Sequence, residues 1–137
     1  MPAYLLDSNV LSEFMRNPKG HAANTFRRKA SEPDTRILTS IIVACEMRYG
    51  AAEKGSMLLA QRVDQTLASV EVAPLTSGMD DTYAEIRSAL EREGQPIGQN
   101  DLLITAHALA LDAILVTDNV REFKRVKGLR VENWQRT

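Results

Sequence analysis

Apolar positions along the chain alternate between short runs and helical steps. Tyr4 to Leu6 is a brief apolar run that stops at Asp7. Val10, Leu11, Phe14 and Met15 follow at helical spacing, with Ser8 or Asn9 placed to cap the helix. Asn17, Pro18 and Gly20 break it, and a polar helix is predicted from Ala22 to Lys29. Ser31 to Thr35, with Pro33 inside, is predicted as a loop, and Ile37 and Leu38 as a second strand. Ser40 can cap a helix running from Ile41 to about Ala52. Leu59, Val63, Leu67 and Val70 share one helix face, and Val70, Val72 and Ala73 lead into a third strand ending near Leu75.

Met79, Tyr83, Ile86 and Leu90 mark another helix face, broken by Gly94, Pro96 and Gly98. The next helix is predicted to start at Asn100 or Asp101 and to run to about Asp112. Ala113 to Thr117 is a fourth strand bounded by aspartates, and Leu129 to Val131 is a fifth. Short apolar strands alternating with amphipathic helices predict an α/β fold, a mostly parallel sheet covered on both faces. Ligands of such sheets sit at the carboxyl ends of the strands, beside a topological switch point. No repeat or linker divides the chain, so residues 1–137 are expected to form one domain.

Composition narrows the class. At 137 residues, 44% hydrophobic and 26% charged, the chain can bury a core and is neither a disordered tail nor a fibre. A single cysteine, Cys45, excludes an internal disulfide framework and a cysteine-based zinc site. The longest mostly apolar uncharged stretch, Leu102 to Leu111, is too short to cross a bilayer, and the N-terminus has no basic segment before its apolar run. The expected compartment is the cytoplasm, with no membrane partner. The 17 Lys+Arg and 18 Asp+Glu nearly cancel, so the placement of charge matters more than its sum.

Four carboxylates stand in unusual places. Asp7 follows the first strand and Asp118 the fourth, so parallel neighbouring strands would project both from one sheet edge. Asp7 could also cap a helix, and Asp118 with Asn119 could form a turn. Glu46 interrupts the apolar stretch Ile41 to Ala52, whose only other charge is Arg48. A carboxylate buried there must be paired, hydrogen-bonded or bound to metal. Arg48 is two positions on, about 200° around a helix, and cannot reach it. Asp101 opens a helix, where it could simply favour the helix dipole, after the shaped loop Gly94 to Gln99. Together the four would repel one another unless a cation lay between them, and a hard divalent ion such as Mg²⁺ suits oxygen ligands. Such a site favours phosphoryl-transfer chemistry.

The stretches Leu6-Asp7-Ser8-Asn9, Ala44 to Gly50, Pro96 to Asp101 and Val116-Thr117-Asp118-Asn119 resemble, in order, the motifs of PIN-domain ribonucleases, most closely the VapC-type toxins of bacterial toxin–antitoxin pairs. The ending Arg121-Glu122-Phe123 and Gly128 to Trp134 extends the resemblance to nearly the whole chain. The resemblance implies a three-layer α/β/α sandwich with five strands and Mg²⁺- or Mn²⁺-dependent hydrolysis of RNA. It also implies a homodimer and a cognate antitoxin through which alone the chain would meet DNA. It maps the family's acids onto Asp7, Glu46, Asp101 and Asp118. Asp7, Asp101 and Asp118 would hold the metal, and Glu46 would orient or deprotonate the attacking water or help bind a second ion. Ser8 stands where the family usually has threonine and keeps the hydroxyl. Ser8, Asn9 and Asn119 are expected to support the ligands. In-line attack would leave a 5′-phosphate and a 3′-hydroxyl.

Arg121, Lys124, Arg125, Lys127 and Arg130 follow Asp118 closely and are candidate phosphate contacts, or else a solvated loop or an antitoxin-facing surface. His107, six positions past Asp101, is about 240° around the helix and is expected to be a buried, satisfied histidine. Cys45 is expected to be a small core residue, and Trp134 to pack in the core or a dimer interface. Two other classes fit an α/β chain of this size. A phosphoacceptor receiver domain would need an acidic doublet after the first strand and a lysine after the last, and neither is present. A non-catalytic binding module would not require all four acids.

Overall fold

The computed structural model describes residues 2–135. Five parallel strands form one sheet in the order β3-β2-β1-β4-β5. They are β1 (Ala3–Leu6), β2 (Arg36–Ser40), β3 (Glu71–Ala73), β4 (Ile114–Val116) and β5 (Val131–Glu132). Among the described residues seven helices connect and flank them: α1 (Ser8–Arg16), α2 (His21–Ser31), α3 (Ile41–Lys54), α4 (Met57–Ala68), α5 (Met79–Arg92), α6 (Gln99–Ala110) and α7 (Val120–Phe123). The three-layer α/β/α architecture is therefore as expected.

β1 is central because both of its edges are paired: Leu6 lies opposite Thr39 of β2 and opposite Val116 of β4. The chain first winds from β1 outward to β3, then returns to place β4 on β1's other side. The β1/β4 boundary is the switch point, and the carboxyl ends of both strands open there. Leu5, Leu6, Leu38, Leu115 and Val116 are fully buried between the helix layers, as an all-parallel sheet requires. A smaller apolar cluster of Leu90, Ile97, Leu102 and Val126 fixes the loop between α5 and α6 against the segment after α7.

Several boundaries differ from expectation for local reasons. Asp7, not Ser8 or Asn9, caps α1, accepting the Ser8 N–H through its side chain. α6 begins at Gln99 with Gly98 as its cap, slightly earlier than predicted. β5 starts only at Val131, because Gly128 takes φ +85° and Leu129 N–H donates to the Val126 carbonyl, closing a turn. Cys45 is exposed rather than in the core. α3 is apolar on all sides but buries only the face carrying Val43, Ala44, Met47 and Ala51, while Tyr49 stays 66% exposed. Trp134 is buried against Tyr4, with ring centroids 5.3 Å apart.

Candidate active site

The site begins where β1 ends. Asp7 N–H still donates to the Val116 carbonyl in the sheet ladder at 2.9 Å, while its carboxylate turns onto the sheet edge, 4% exposed. Asp7 Oδ1 accepts from Ser8 N at 2.8 Å. Asp7 Oδ2 accepts from the Thr117 hydroxyl at 2.9 Å and from Asn9 Nδ2 at 3.2 Å. Thr117 Oγ1 in turn accepts from Asn9 Nδ2 and from Asn119 N, both at 3.1 Å. One donor and two acceptor sites of that hydroxyl are thus all used. Burial pushes the Asp7 carboxyl above its ordinary range, opposed by these hydrogen bonds and assisted by the charge of Glu122.

Glu46 reaches the same edge from α3. Its Oε2 accepts from Asn100 Nδ2 at 3.4 Å, and its Oε1 is buried with no hydrogen-bond partner. Arg48 is engaged with Asp64, and among the described residues no arginine or lysine, from this helix or elsewhere, forms a salt bridge with Glu46. Burial raises the Glu46 carboxyl, and the charge of Asp7 adds to this. Asp101 sits in the first turn of α6. Its carboxyl is pushed up to about 7 by burial first, then by the charges of Glu122, Asp7 and Glu46.

Asp118 departs from the group. It is exposed, its N–H donates to Asn9 Oδ1 at 2.9 Å, and its carboxylate accepts from Asn133 Nδ2 at 3.3 Å. The acid that joins Asp7, Glu46 and Asp101 is instead Glu122, which also accepts a hydrogen bond from Asn119 Nδ2. Among the described residues no three Asp, Glu, His or Cys side chains stand placed together so as to hold a metal ion. The donor set nevertheless suits a hard divalent cation. It is all oxygen, one buried carboxylate oxygen has no partner, and burial together with its acidic neighbours pushes the Asp101 carboxyl up.

Comparison with known proteins decides the family. Residues 4–129 match the PIN domain. The chain is 34% identical to ribonuclease VapC2 of Rickettsia felis over 135 residues, 97% of this chain and 98% of that protein. It is 30% identical to the tRNA(fMet)-specific endonuclease VapC of Salmonella typhimurium over 138 residues, 98% and 99% of the two chains. The chain belongs to the PIN-domain family of VapC-type ribonucleases. In structure it superposes with TM-score 0.90 on a chain of VapBC2 from Rickettsia felis, solved bound to a DNA fragment from their promoter. That match has 34% identity and covers 96% and 98% of the two chains. It superposes with TM-score 0.84 on a chain of DNA-bound VapBC from Salmonella typhimurium, at 30% identity, covering 98% and 99%.

Asp7, Glu46, Asp101, Asp118 and Glu122 all fall inside the PIN-domain match. Sequence reasoning missed Glu122, Asn100 and Thr117. Glu122 lies on a helix of four residues, too short for a hydrophobic period to declare. Val120, Phe123 and Val126 step by three, which accounts for the burial of Phe123 and Val126 but does not say which way the intervening acid faces. Asn9 bonds the Asp7 carboxylate and the Asp118 N–H, and Asn119 bonds Thr117 through its N–H and Glu122 through its side chain. For Ser8 it is the backbone N–H that bonds Asp7, and the side chain lines a groove shared with Glu46.

The basic cluster separates into parts. Arg121 and Lys124 are exposed on and after α7 at the site's edge, and Lys127 is exposed further on. Arg125 is structural: its guanidinium donates to the Glu122 and Gln95 carbonyls, each at 3.2 Å. Arg130 precedes β5 at the opposite, amino edge of the sheet, where it donates to the Asp112 carbonyl at 2.9 Å and carboxylate at 3.1 Å. Arg130 therefore leaves the set of candidate RNA contacts, because the parallel strands carry it away from the carboxylates.

Proposed function

We propose that this chain hydrolyses RNA with Mg²⁺ or Mn²⁺ as the toxin of a toxin–antitoxin pair. The observation that supports the metal assignment is the cluster of Asp7, Glu46, Asp101 and Glu122, in which burial first, and the charges of neighbouring acids second, raise the carboxyls of Asp7, Glu46 and Asp101. Asp7, Asp101 and Glu122 are the proposed ligands, with Asp118 contributing through water. A bound divalent ion would shield the phosphate and make a water more acidic. Glu46 is the proposed base, since its unpartnered Oε1 can take a proton from the attacking water. Attack at phosphorus would then break the bond to the 3′-oxygen, which takes a proton from solvent to become a hydroxyl, and the 5′-phosphate remains on the other fragment. Asn9, Thr117 and Asn119 hold Asp7 and Glu122 in orientation, and Asn100 holds Glu46. Arg121 and Lys124 are proposed to bind the RNA backbone.

A homodimer, a cognate antitoxin, contact with DNA only through that antitoxin, and a cytoplasmic location are part of the same proposal. No helix among the described residues is long and apolar enough to cross a membrane. The test is cleavage of single-stranded RNA by the purified chain with Mn²⁺ or Mg²⁺, repeated in excess chelator. Cleavage is expected only with the ion, and equal cleavage in chelator refutes the metal assignment.

A further inference from the structure

His107 is fully buried on α6, six positions past Asp101 and so about 240° around the helix from it. Its Nε2 lies 3.0 Å from the Pro74 carbonyl oxygen, just past β3. A carbonyl only accepts, so Nε2 carries the hydrogen. Burial lowers the affinity of the ring for a second proton, which leaves Nδ1 as an acceptor. Nδ1 lies 2.8 Å from Ser40 Oγ, so the hydroxyl of Ser40 donates to it. The same Oγ accepts Ile42 N–H at 3.1 Å, the capping bond that starts α3. One relay thus runs from the end of β3 through α6 and the end of β2 to the first turn of α3.

Ile42 lies one turn before Glu46, so the angle and height at which α3 leaves Ser40 determine where Glu46 stands. α6 holds α3 at a second point, through Asn100 Nδ2 and Glu46 Oε2. The helix that carries Asp101 therefore grips the helix that carries Glu46 at its cap and at its carboxylate. A leucine would fill the space of His107 without the cost of burying a polar ring. What the imidazole adds is direction, since its two nitrogens demand partners at fixed angles.

We propose that His107 is a positioning residue for the carboxylate cluster. Through Ser40 it sets the start of α3, and so the position of Glu46 relative to Asp101, without touching RNA or a metal ion. This rests on the ribonuclease reading above. The two fail differently: a parent that cleaves no RNA defeats that reading, whereas a parent that cleaves and a His107→Leu variant that keeps its rate defeat this one.

The experiment compares His107→Leu, His107→Asn and His107→Gln in the full chain, reading kcat and KM for RNA, thermal melting, and Mn²⁺ affinity without RNA. Asn places Oδ1 near the site of Nδ1 and can accept from Ser40, whereas Gln places its amide nitrogen near Nε2 and serves only Pro74. The Leu variant is expected to lose at least tenfold in kcat with KM within twofold, and to bind Mn²⁺ more weakly. Asn should recover most of the rate and Gln should not. In a Ser40→Ala background, His107→Leu should cost nothing further in kcat. Equal rates in the Asn and Gln variants overturn the proposal even if the Leu variant fails to fold. Failure of all three to fold overturns it too, because the ring would then be a requirement of folding.

Discussion

Asp101→Asn distinguishes a crowded acidic pocket from an ordinary aspartate at a helix start. The folded-state value of the Asp101 carboxyl, about 7, lies above its ordinary 3.8. The folded protein therefore holds an extra proton between those values, and the contribution of Asp101 to stability falls as pH rises through that window. The shift spans about three units at about 1.4 kcal/mol each, a ceiling of about 4 kcal/mol above pH 7. Asp101 is partly exposed, and solvent screening reduces that ceiling to about 1–2 kcal/mol. Asn also forgoes the favourable placement of a negative charge in the first turn of α6, worth about 0.3–1 kcal/mol. The net expectation for metal-free Asp101→Asn is a gain of about 1 kcal/mol at pH 8, or roughly 3–5 °C in Tm for a domain of this size. The gain should shrink through pH 6 and vanish near pH 4, where both side chains are neutral when folded. Melting of parent and variant in chelator at the three pH values, with RNA cleavage measured on the same samples, is the assay. A variant that is less stable at pH 8 and still cleaves would make Asp101 a helix-start residue only. A gain equal at pH 4 and pH 8 would show that charge repulsion is not its source.

Glu46→Gln should fold as well as the parent, because Arg48 is occupied by Asp64 and no buried cation is left behind, yet cleavage should fall by about a hundredfold or more. An unfolded variant or parental cleavage would contradict this. Thr117→Val removes a hydroxyl serving Asp7, Asn9 and Asn119, and should cost about 1–3 kcal/mol in melting or denaturant titration. Because the Thr117 bond holds the Asp7 carboxyl down, its loss should also move the acid limb of the pH–rate profile to higher pH; an unmoved limb counts against Asp7 as a group that must be ionised. Arg121→Ala with Lys124→Ala should raise KM for RNA with kcat retained, and an unchanged KM removes them from the RNA surface.

Much of this protein is legible along the chain. The alternation of short apolar runs with helical steps determines an α/β fold because a strand buried on both faces needs continuous apolar sequence, and its covering helices need a stripe. Ser40 as a helix cap and His107 as a satisfied core residue follow from local chemistry and from the helix repeat, and both are found so. Asp7, Glu46 and Asp101 are legible from their placement: Asp7 at a strand end, Glu46 inside an apolar helix where a bare carboxylate costs energy, and Asp101 after a shaped loop.

What only the tertiary structure decided was which acids face one another. Asp118 and Glu122 are four residues apart, and nothing local says which turns inward. Asn9 holds the Asp118 backbone and Asn133 draws its carboxylate aside, while buried Phe123 anchors the short helix that presents Glu122. The exposure of Cys45 was likewise unreadable, since α3 is apolar all round and only its neighbours determine the buried side. Arg130 belonged to a basic cluster in sequence and lies on the far edge of the sheet in space, because a parallel strand places its first and last residues on opposite edges. Sequence fixes spacing along an element, whereas meetings between elements depend on packing, which no single stretch of chain contains.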